Sequence, residues 1–391
     1  MKFLHTADWQ IGKPFAGIRD EHKRSLVQHA RTEAIKRIDA VAKDANAEFV
    51  VVAGDLFDSP SADKSTVSAA CSAIGQMGLP VFVIPGNHDH GGPGSVWNQD
   101  FFKREQAALA PNLTVLLETT PHDCGTAILL PCPLLRRSVA ADPTEWLRNS
   151  EVYASLPPGK PRIVIGHGST QAFSSQWDDD EEVGAVGNLI DLARLPDAEI
   201  DFFALGDWHG TKKVHAKAWF AGTPELDRFA KGGDHDPGNI LLVQVERGGL
   251  PQVVKKVTAS LRWNDASFDF SDDSSLSEFQ DRLTAILAQR ANEDLLKLTL
   301  TGSIGIEASA RLDEILESLD ARLLRLKLTN QTRIAPTETE IDALTTRASD
   351  PLIANVAGQL VQRATGDYED AQVVRIALRE LHAACMQEAG S

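Results

Sequence analysis

Eight side chains suited to binding metal ions or phosphate stand just after apolar runs of the chain. They are Asp8, Gln10, Asp55, Asn87, His88, His167, Asp207 and His209. The apolar runs read as strands, and polar residues that leave the carboxyl ends of parallel strands meet at one edge of an open α/β sheet. Carboxylate and amide oxygens suit manganese and magnesium, and imidazole suits transition metals. The sequence therefore predicts a site that binds two divalent metal ions and hydrolyses a phosphoester. Manganese is the expected metal, and magnesium is the alternative.

Each residue of this predicted site has an expected role. Asp55 bridges the two ions, because one shared carboxylate holds such a pair roughly 3.5 to 4 Å apart. Asp8 and His209 complete the ligand set of the first ion, and Gln10 lies nearby. The second ion is completed by Asn87, His167 and Asp207. His88 is expected to stabilise the phosphate oxygens or to protonate the leaving group. Any one of these residues alone is more often structural, but five ordered motifs at the ends of apolar runs make coincidence a poor explanation.

Helices and strands alternate along the first half of the chain. Residues 20–45 place apolar side chains at helical spacing, and residues 63–77 form a second helical stretch that Gly78 and Pro80 end. With the strands before Asp8, Asp55 and Asn87 they give the order βαβαβ, which implies a parallel sheet covered on both faces. Further strands are expected at 113–117, 126–131, 162–165 and 200–205, and further helices at 95–110 and 144–154. The aromatic residues of 95–110 are expected in the core, with a homodimer contact as the alternative, and the five acids at 178–182 predict a solvated loop.

The composition limits the class of protein. A chain of 391 residues with 42% hydrophobic residues is long enough for two globular domains. Its first residues lead straight into a strand and no stretch approaches about 20 apolar residues, so we expect a cytoplasmic protein with no membrane segment. Its four cysteines are scattered without a CxxC pair, which is typical of reduced thiols. The net charge of −16 argues against a protein that coats nucleic acid by bulk electrostatics, although bound divalent cations would add positive charge where a phosphate must sit.

The ordered set ADWQ, GDLFD, GNHDH, GHG and GDWHG resembles the calcineurin-like metallophosphoesterase superfamily, and within it the DNA repair exonucleases of the bacterial SbcD type. The later segment WFAGTPE is similar to the strand and turn that follow the last metal motif in those nucleases. The resemblance implies an α/β fold, a four-layer metallophosphoesterase-type sheet sandwich with helices on both faces. It also implies a smaller C-terminal α/β capping domain with a helical tail. DNA is the implied substrate, and an SbcC-like coiled-coil ATPase of the ABC type is the implied partner.

Two positions depart from the pattern of this superfamily. The first motif usually reads Asp-x-His, whereas Gln10 stands here in the place of the histidine, and the last usually reads Gly-His-x-His, whereas Asp207 precedes His209. The site therefore loses two imidazoles and gains one carboxylate, which strengthens the expected preference for manganese or magnesium over softer metals. Because Gln10 is neutral, the first ion is predicted to be the weaker of the two. A site that has lost activity altogether is the alternative.

The chain is predicted to divide into a nuclease domain at 1–260, a capping domain at 261–335, and a linker with a helical tail at 336–391. In the cap, helices are expected at 274–292 and 309–324 and strands at 295–300 and 326–328. Residues 265–391 carry 12 basic and 22 acidic residues, so −10 of the net charge of −16 lies there. One dense basic group is a candidate DNA contact, with a solvated helix end as the alternative. It comprises Arg322, Arg325, Lys327 and Arg333. Apolar stripes at 351–364 and 371–388 either pack on the cap or bind a partner helix.

The sequence thus favours a manganese-dependent phosphodiesterase that acts on DNA, as an exonuclease or endonuclease subunit in repair. A phosphoesterase for nucleotides or other small phosphodiesters is the second hypothesis, and the net acidity favours it. A non-catalytic partner of the ATPase is the third. The cap and tail favour DNA, because a small substrate does not require them.

Overall fold

The chain forms two compact units, Met1–Arg262 and Trp263–Ser391. The structure is a computed structural model that describes residues 1–170, 187–230, 236–334, 337–347 and 350–365, and in the tail residues 373–374, 376–378, 381–382 and 385. The acidic run at 178–182 and most of the tail helix expected at 371–388 lie outside the described residues. Among the helices that are described, none combines the length and the apolar character needed to cross a membrane.

The described part of the first unit alternates strands with helices. Its strands are β1 Lys2–Thr6, β2 Val50–Ala53, β3 Val81–Ile84, β4 Leu113–Val115, β5 His122–Asp123, β6 Ile128–Cys132, β7 Arg162–His167, β8 Phe202–Gly206, β9 Lys212–Lys213, β10 Ala218–Phe220, β11 Asn239–Gln244 and β12 Gln252–Val257. Its helices are α1 Glu21–Ala45, α2 Lys64–Gly75, α3 Asp100–Leu109 and α4 Glu151–Ala154, with 3-10 turns at Val96–Asn98, Glu145–Arg148 and Leu192–Arg194.

These strands form two six-stranded sheets that pack face to face. The first sheet has the order β12-β11-β1-β2-β3-β4 and the second the order β5-β6-β7-β8-β10-β9. Phe3 and Val51 of the first sheet pack with Ile163 and Phe202 of the second in a central core. Alternate residues such as Val50 face outward against α1, α2 and α3, and the outer face of the second sheet is covered by the segments that include Glu145–Arg148 and α4. The predicted four-layer α/β sandwich is confirmed.

Helix boundaries differ from the expected ones where polar side chains start new turns. α1 begins as predicted, because the Asp20 side chain accepts the Lys23 N–H at 2.9 Å. The single helix expected at 144–154 is instead a 3-10 turn followed by α4. The Asn149 side chain accepts the Glu151 N–H at 3.0 Å, which starts a new turn. Similarly, a 3-10 turn at Val96–Asn98 precedes α3, so that α3 begins only at Asp100.

The second unit packs two of its helices against a small sheet. Its strands are β13 Arg262–Phe270, β14 Asp294–Ile304, β15 Arg325–Asn330 and β16 Arg333–Ile334, and its helices are α5 Ser275–Leu287, α6 Ile306–Arg322, α7 Glu338–Thr345 and α8 Pro351–Thr365. Leu296 and Leu298 of β14 share a core with Phe279 of α5 and Leu312 of α6. The first strand of this unit, β13, was not predicted.

The residues expected to form a linker after Pro336 instead begin a helix. The Thr337 side chain accepts the Glu340 N–H at 3.2 Å, and the Glu340 carboxylate accepts the Thr337 N–H at 2.8 Å, which is a capping box. The same carboxylate accepts the N–H groups of Ile306 and Glu307 at 3.1 and 2.8 Å. Glu340 therefore joins the start of α7 to the start of α6, and the linker prediction is wrong for these residues.

Candidate metal centre

The predicted site residues lie where strands of both sheets end. Asp8, Asp55 and Asn87 follow β1, β2 and β3, which are parallel neighbours in the first sheet. His167 is the last residue of β7 and Asp207 directly follows β8, its parallel neighbour in the second sheet. The carboxyl ends of the two sets of parallel strands therefore supply one site.

A buried cluster of acidic groups surrounds His167. One ligand atom from each of Asp8, Asp55 and His167 lies within 4.8 Å of the other two. The His167 Nε2 is 3.0 Å from Asn87 Oδ1, and it is 3.5 Å from Asp55 Oδ2 and 3.8 Å from Asp207 Oδ1. We call these five residues the acidic cluster. The His167 Nδ1 donates to the Ala53 carbonyl at 2.8 Å, which directs Nε2 at the carboxylates.

The electrostatics of the acidic cluster favour a bound cation. Burial raises the pKa of Asp8 to about 7; His167 opposes this shift, and the Asp55 and Asp207 carboxylates add to it. Burial alone would lower the pKa of His167, but Asp55, Asp8 and Asp207 outweigh it and raise that pKa to about 9. Positive charge is thus stabilised at the centre of the cluster. Oxygen donors with one imidazole are a donor set that fits a divalent manganese or magnesium ion.

The loops that carry the site have strained backbones. Asp8, Gln10, Asp55 and Asp207 have φ values of 53°, 42°, 55° and 99°. Residues other than glycine rarely adopt this left-handed region, and such strain persists where surrounding contacts hold it. Here the Asp8 N–H donates to the Gly54 carbonyl at 3.1 Å and the Gln10 N–H to the Asp55 carbonyl at 2.8 Å. The first two motif loops therefore hold each other in place.

Two glycines of the motifs are required by close packing at the cluster. A Cβ on Gly54 would lie 2.1 Å from the His167 Nδ1, and Gly54 also has a φ of 92°. A Cβ on Gly86 would lie 2.1 Å from the Asp55 Oδ1. Each contact is far closer than any real Cβ contact, so the glycines that precede Asp55 and Asn87 let neighbouring strand ends approach.

Gln10 and His209, the other predicted ligands, are held by a different set of side chains. Lys13 Nζ donates to Gln10 Oε1 at 2.8 Å and lies 3.1 Å from Asp227 Oδ2. His209 Nδ1 lies 3.0 Å from Asp227 Oδ2, and His209 Nε2 lies 3.5 Å from Gln10 Nε2. Within the described residues, the carboxylates and imidazoles that converge on one point are those of Asp8, Asp55 and His167. The acidic cluster therefore fits a metal ion, whereas the polar atoms of Gln10 and His209 are engaged by Lys13, Asp227 and each other.

Charges around His209 differ from those in the acidic cluster. Burial lowers the pKa of His209 to about 4, although Asp227 opposes this shift. Burial would raise the pKa of Asp227, but His209, Arg228 and Lys13 together hold it well below its usual range. His209 is thus neutral beside an ionised Asp227.

His88 and Asp89 follow Asn87 but have different surroundings. The His88 backbone N–H donates to Asp55 Oδ1 at 2.9 Å, and its ring Nδ1 donates to the Asp58 carbonyl at 3.0 Å. The buried Asp89 carboxylate accepts the N–H groups of Gly86 and Phe57 at 2.7 and 3.1 Å. Asp89 therefore joins the GNHDH and GDLFD turns and has a structural role, while His88 stands beside the cluster.

The sequence did not predict the residues that hold the site loops through hydrogen bonds and ion pairs. Arg31 is buried on α1 and donates to the carbonyls of Trp9, Asp8 and Glu225 at 2.8, 2.9 and 3.0 Å. The signal for Arg31 was its place on the apolar face of α1, where a charged residue needs a partner. Lys13 and Asp227 carried no comparable signal, because they lie outside the recognised motifs.

The four residues of the basic group in the second unit differ in their contacts and exposure. Arg322 donates to the carbonyls of Ala288 and Arg290 at 2.8 and 3.3 Å, so it helps to hold the segment that follows α5. Arg325 and Lys327 lie on β15, and Arg333 on β16. Lys327 and Arg333 are exposed. Arg322, the last residue of α6, is half-buried.

A match to a known protein family gives the class of this protein. Residues 1–236, more than half of the chain, match the calcineurin-like phosphoesterase model, and the chain belongs to this family. Membership implies a metal-dependent hydrolase of phosphoesters, and the resemblance found in the sequence is confirmed.

Two individual proteins are similar to parts of the chain. The SbcD subunit of the nuclease SbcCD of Bacillus subtilis (strain 168) is 33% identical over 94 residues, which are 23% of this chain and 22% of that protein. The match thus spans about a fifth of the length of this curated relative. The crystal structure of TT1561 of Thermus thermophilus aligns with a TM-score of 0.37 and 14% identity, over 66% of this chain and 98% of that one.

Proposed function

We propose that this protein is a divalent-metal-dependent phosphodiesterase that cleaves DNA, as the nuclease subunit of a complex with an SbcC-like coiled-coil ATPase. The observation that carries the proposal is the buried acidic cluster at the shared edge of two sheets, in a chain of this phosphoesterase family. The similarity to the SbcD subunit of the nuclease SbcCD supports DNA as the substrate. We place the activity in the cytoplasm, in keeping with four free cysteines.

The acidic cluster supplies the ligands for manganese or magnesium. Asp8, Asp55 and Asp207 offer carboxylate oxygens, Asn87 an amide oxygen and His167 its Nε2. A bound ion there would polarise the phosphate and activate a water for attack on phosphorus. The contribution of the chain is to fix the ligands: the strained loops hold the aspartates, and the Ala53 carbonyl sets the tautomer of His167.

His88 is proposed to act on the phosphate rather than on the metal. The Asp58 carbonyl accepts its Nδ1–H, which orients the ring, and its backbone N–H is fixed by Asp55. The side chain is 15% exposed, so that a substrate at the surface of the site has access to it. A histidine so placed can stabilise phosphate oxygens or protonate the leaving group.

The tail of the second unit supports a helical protein partner. Leu352 and Val356 lie one turn apart on α8 and are 74% and 42% exposed, whereas Ala357 and Leu360 on the same helix pack inward. Val373 and Ile376 further along the tail are also exposed. An amphipathic partner helix, as in a coiled coil, is a suitable binding partner for such a face. Lys327 and Arg333 are the proposed DNA contacts of this unit.

The test is a metal titration with four substrates: a labelled DNA duplex, a labelled single strand, a phosphodiester dye ester and a nucleotide. We expect the protein to cleave a labelled duplex or single strand with manganese or magnesium, to hydrolyse a phosphodiester dye ester, and to lose both activities with a chelator. Asp44→Asn, on the exposed face of α1, is the matched control for Asp55→Asn, which should lose both activities. Hydrolysis of nucleotides without cleavage of DNA would favour the small-substrate hypothesis, which the net charge of −16 also favours. A protein that binds metal and cleaves nothing would leave the non-catalytic partner.

A further inference from the structure

Four side chains beside the acidic cluster form a closed ring of polar contacts. Lys13 Nζ contacts Gln10 Oε1 at 2.8 Å and Asp227 Oδ2 at 3.1 Å. Asp227 Oδ2 is 3.0 Å from His209 Nδ1, and His209 Nε2 is 3.5 Å from Gln10 Nε2. We call these four residues the lysine ring. Gln10, His209 and Asp227 are buried, and the Lys13 side chain is 19% exposed.

The chemistry of Lys13 fixes the direction of every hydrogen bond in the lysine ring. An ammonium only donates, so the atom of Gln10 that faces it must be the carbonyl oxygen. The amide NH₂ then faces His209, whose Nε2 must accept. His209 Nδ1 therefore carries the proton and donates to Asp227. Arg228 Nη2 lies 3.0 Å from both Asp227 Oδ2 and His209 Nδ1, and because Nδ1 is then a donor, Arg228 donates to the carboxylate. When His209 Nε2 accepts from Gln10, its lone pair is not available to a metal ion, and the Lys13 ammonium takes up one of the two lone pairs of Gln10 Oε1.

The charges around the lysine ring are already balanced. Lys13 and Arg228 lie 3.1 and 3.0 Å from the Asp227 carboxylate, and Lys13 lies 3.9 Å from Asp58 Oδ1. Two cations thus accompany two carboxylates on this side of the site. The acidic cluster, in contrast, gathers three carboxylates around one imidazole. A divalent ion is attracted to the cluster, whereas next to Lys13 it meets like charge.

We propose that the ammonium of Lys13 takes the place of the first metal ion, so that each chain binds a single divalent ion, at the acidic cluster. Gln10 and His209 are then positioning residues that hold Lys13 and Asp227, rather than ligands. This inference rests on the proposed metal dependence and replaces the two ions expected from the sequence with one. It also accounts for Gln10: an amide can accept from an ammonium and donate to an imidazole at once, which links the two halves of the ring.

Metal stoichiometry tests the inference directly. Full-length protein is stripped of metal, dialysed against manganese and analysed for bound manganese per chain, with electron paramagnetic resonance to detect coupling between ions. We expect one manganese per chain and the spectrum of an isolated ion. Lys13→Met removes the ammonium and should raise the stoichiometry to two, with a coupled spectrum, and adding Gln10→His should tighten the second ion. Lys13→Arg keeps the charge and should stay at one, as should Lys103→Met on the exposed surface of α3.

Each outcome decides something. Two coupled ions in the wild-type protein would overturn the inference even if DNA is cleaved, which would leave the proposed function intact. One ion without cleavage of any phosphodiester would overturn the proposed function and keep the inference. A Lys13→Met protein that melts like the wild type but still binds one ion would show that Lys13 does not exclude the second. Should that variant not fold, the wild-type stoichiometry decides alone.

Discussion

The backbone N–H of Asp207 points at the carboxylate of Asp8, with distances of 3.2 and 3.3 Å to its two oxygens. The two residues are 199 positions apart in the chain and follow strands of different sheets. This contact therefore joins the edges of the two sheets at the acidic cluster, and it stabilises the left-handed backbone of Asp207.

His88→Ala should separate metal binding from turnover. His88 is assigned to the phosphate, so the variant should bind manganese like the wild type and lose about 10²- to 10⁴-fold in the rate of dye-ester hydrolysis, the usual contribution of a general acid. Bound manganese and hydrolysis are measured on the same sample. Loss of metal together with activity would mean that His88 is a ligand.

Asp55→Asn should have the opposite effect on metal binding. The Asp55 carboxylate lies in the acidic cluster and is nearly fully buried, so removal of its charge should weaken manganese binding at least about 10-fold, the smallest loss usual even for residues that only support a ligand. The amide retains an oxygen for the His88 N–H, so the fold should persist. Calorimetric titration of manganese checks the prediction, and unchanged affinity would remove Asp55 from the ligand set.

Gly54→Ala should reduce stability and manganese binding more than the same substitution at Gly78, which lies in a turn with no neighbouring side chain. Both Gly54 and Gly78 have a left-handed φ, 92° and 67°, so alanine costs each about 1–2 kcal/mol of backbone strain. Only at Gly54 would the new Cβ also meet His167, at 2.1 Å, whereas nothing lies within 4 Å at Gly78. Urea unfolding should therefore show the larger loss for Gly54→Ala, with weaker manganese binding, and Gly78→Ala should bind manganese normally. Equal losses would show that His167 is not packed against Gly54.

The sequence predicted the structure best where an apolar run, which indicates a strand, ends in a residue able to bind metal. Val50 and Val51 belong to an apolar run that ends in Gly54-Asp55, and such runs predicted both the strands and the residues placed at their ends. The α/β class and four-layer architecture followed from the same pattern. The residues of the acidic cluster could be predicted because each is an acid, amide or imidazole at the end of a strand.

What the sequence did not reveal depends on contacts between distant segments. Lys13 stands three residues beyond the ADWQ motif, and it contacts Asp227 only because the segments that follow β1 and β10 are neighbours in the fold. The pairing of Glu340 with the start of α6 is likewise tertiary. A polar run such as the one after Pro336 reads equally as a linker or as a helix cap until its partner is known.

Glu340→Ala should destabilise the second unit. The Glu340 carboxylate accepts N–H groups from Thr337, Ile306 and Glu307, and the residue is buried. Buried donors left without a partner cost about 1–3 kcal/mol, so the free energy of unfolding should fall by about that amount. Glu317→Ala, exposed on α6, is the control and should change little. A Glu340→Ala protein as stable as the control would mean that water replaces the carboxylate at these N–H groups.

His5 should make the first unit less stable in mild acid. Burial lowers the pKa of His5 from 6.5 to about 3, although the contact of its Nε2 with the Leu205 carbonyl at 3.1 Å opposes the shift. In the unfolded chain the imidazole takes up a proton as the pH falls below 6.5, whereas in the folded chain it stays neutral down to about 3. The unfolded state thus binds more protons across this window, and the free energy of unfolding decreases as the pH falls, by up to about 1.4 kcal/mol per pH unit.

Replacement of His5 tests this pH dependence. His5→Asn removes the titrating group, so between pH 7 and pH 5 its free energy of unfolding should fall by about 2 kcal/mol less than that of the wild type. His22→Asn, exposed on α1, should keep the wild-type dependence. Urea unfolding followed by tryptophan fluorescence reports on the first unit, because every tryptophan except Trp263 belongs to it. Parallel pH profiles for wild type and His5→Asn would show that His5 is protonated in the folded protein, and hence that its ring is less completely buried than the packing against Phe202 implies.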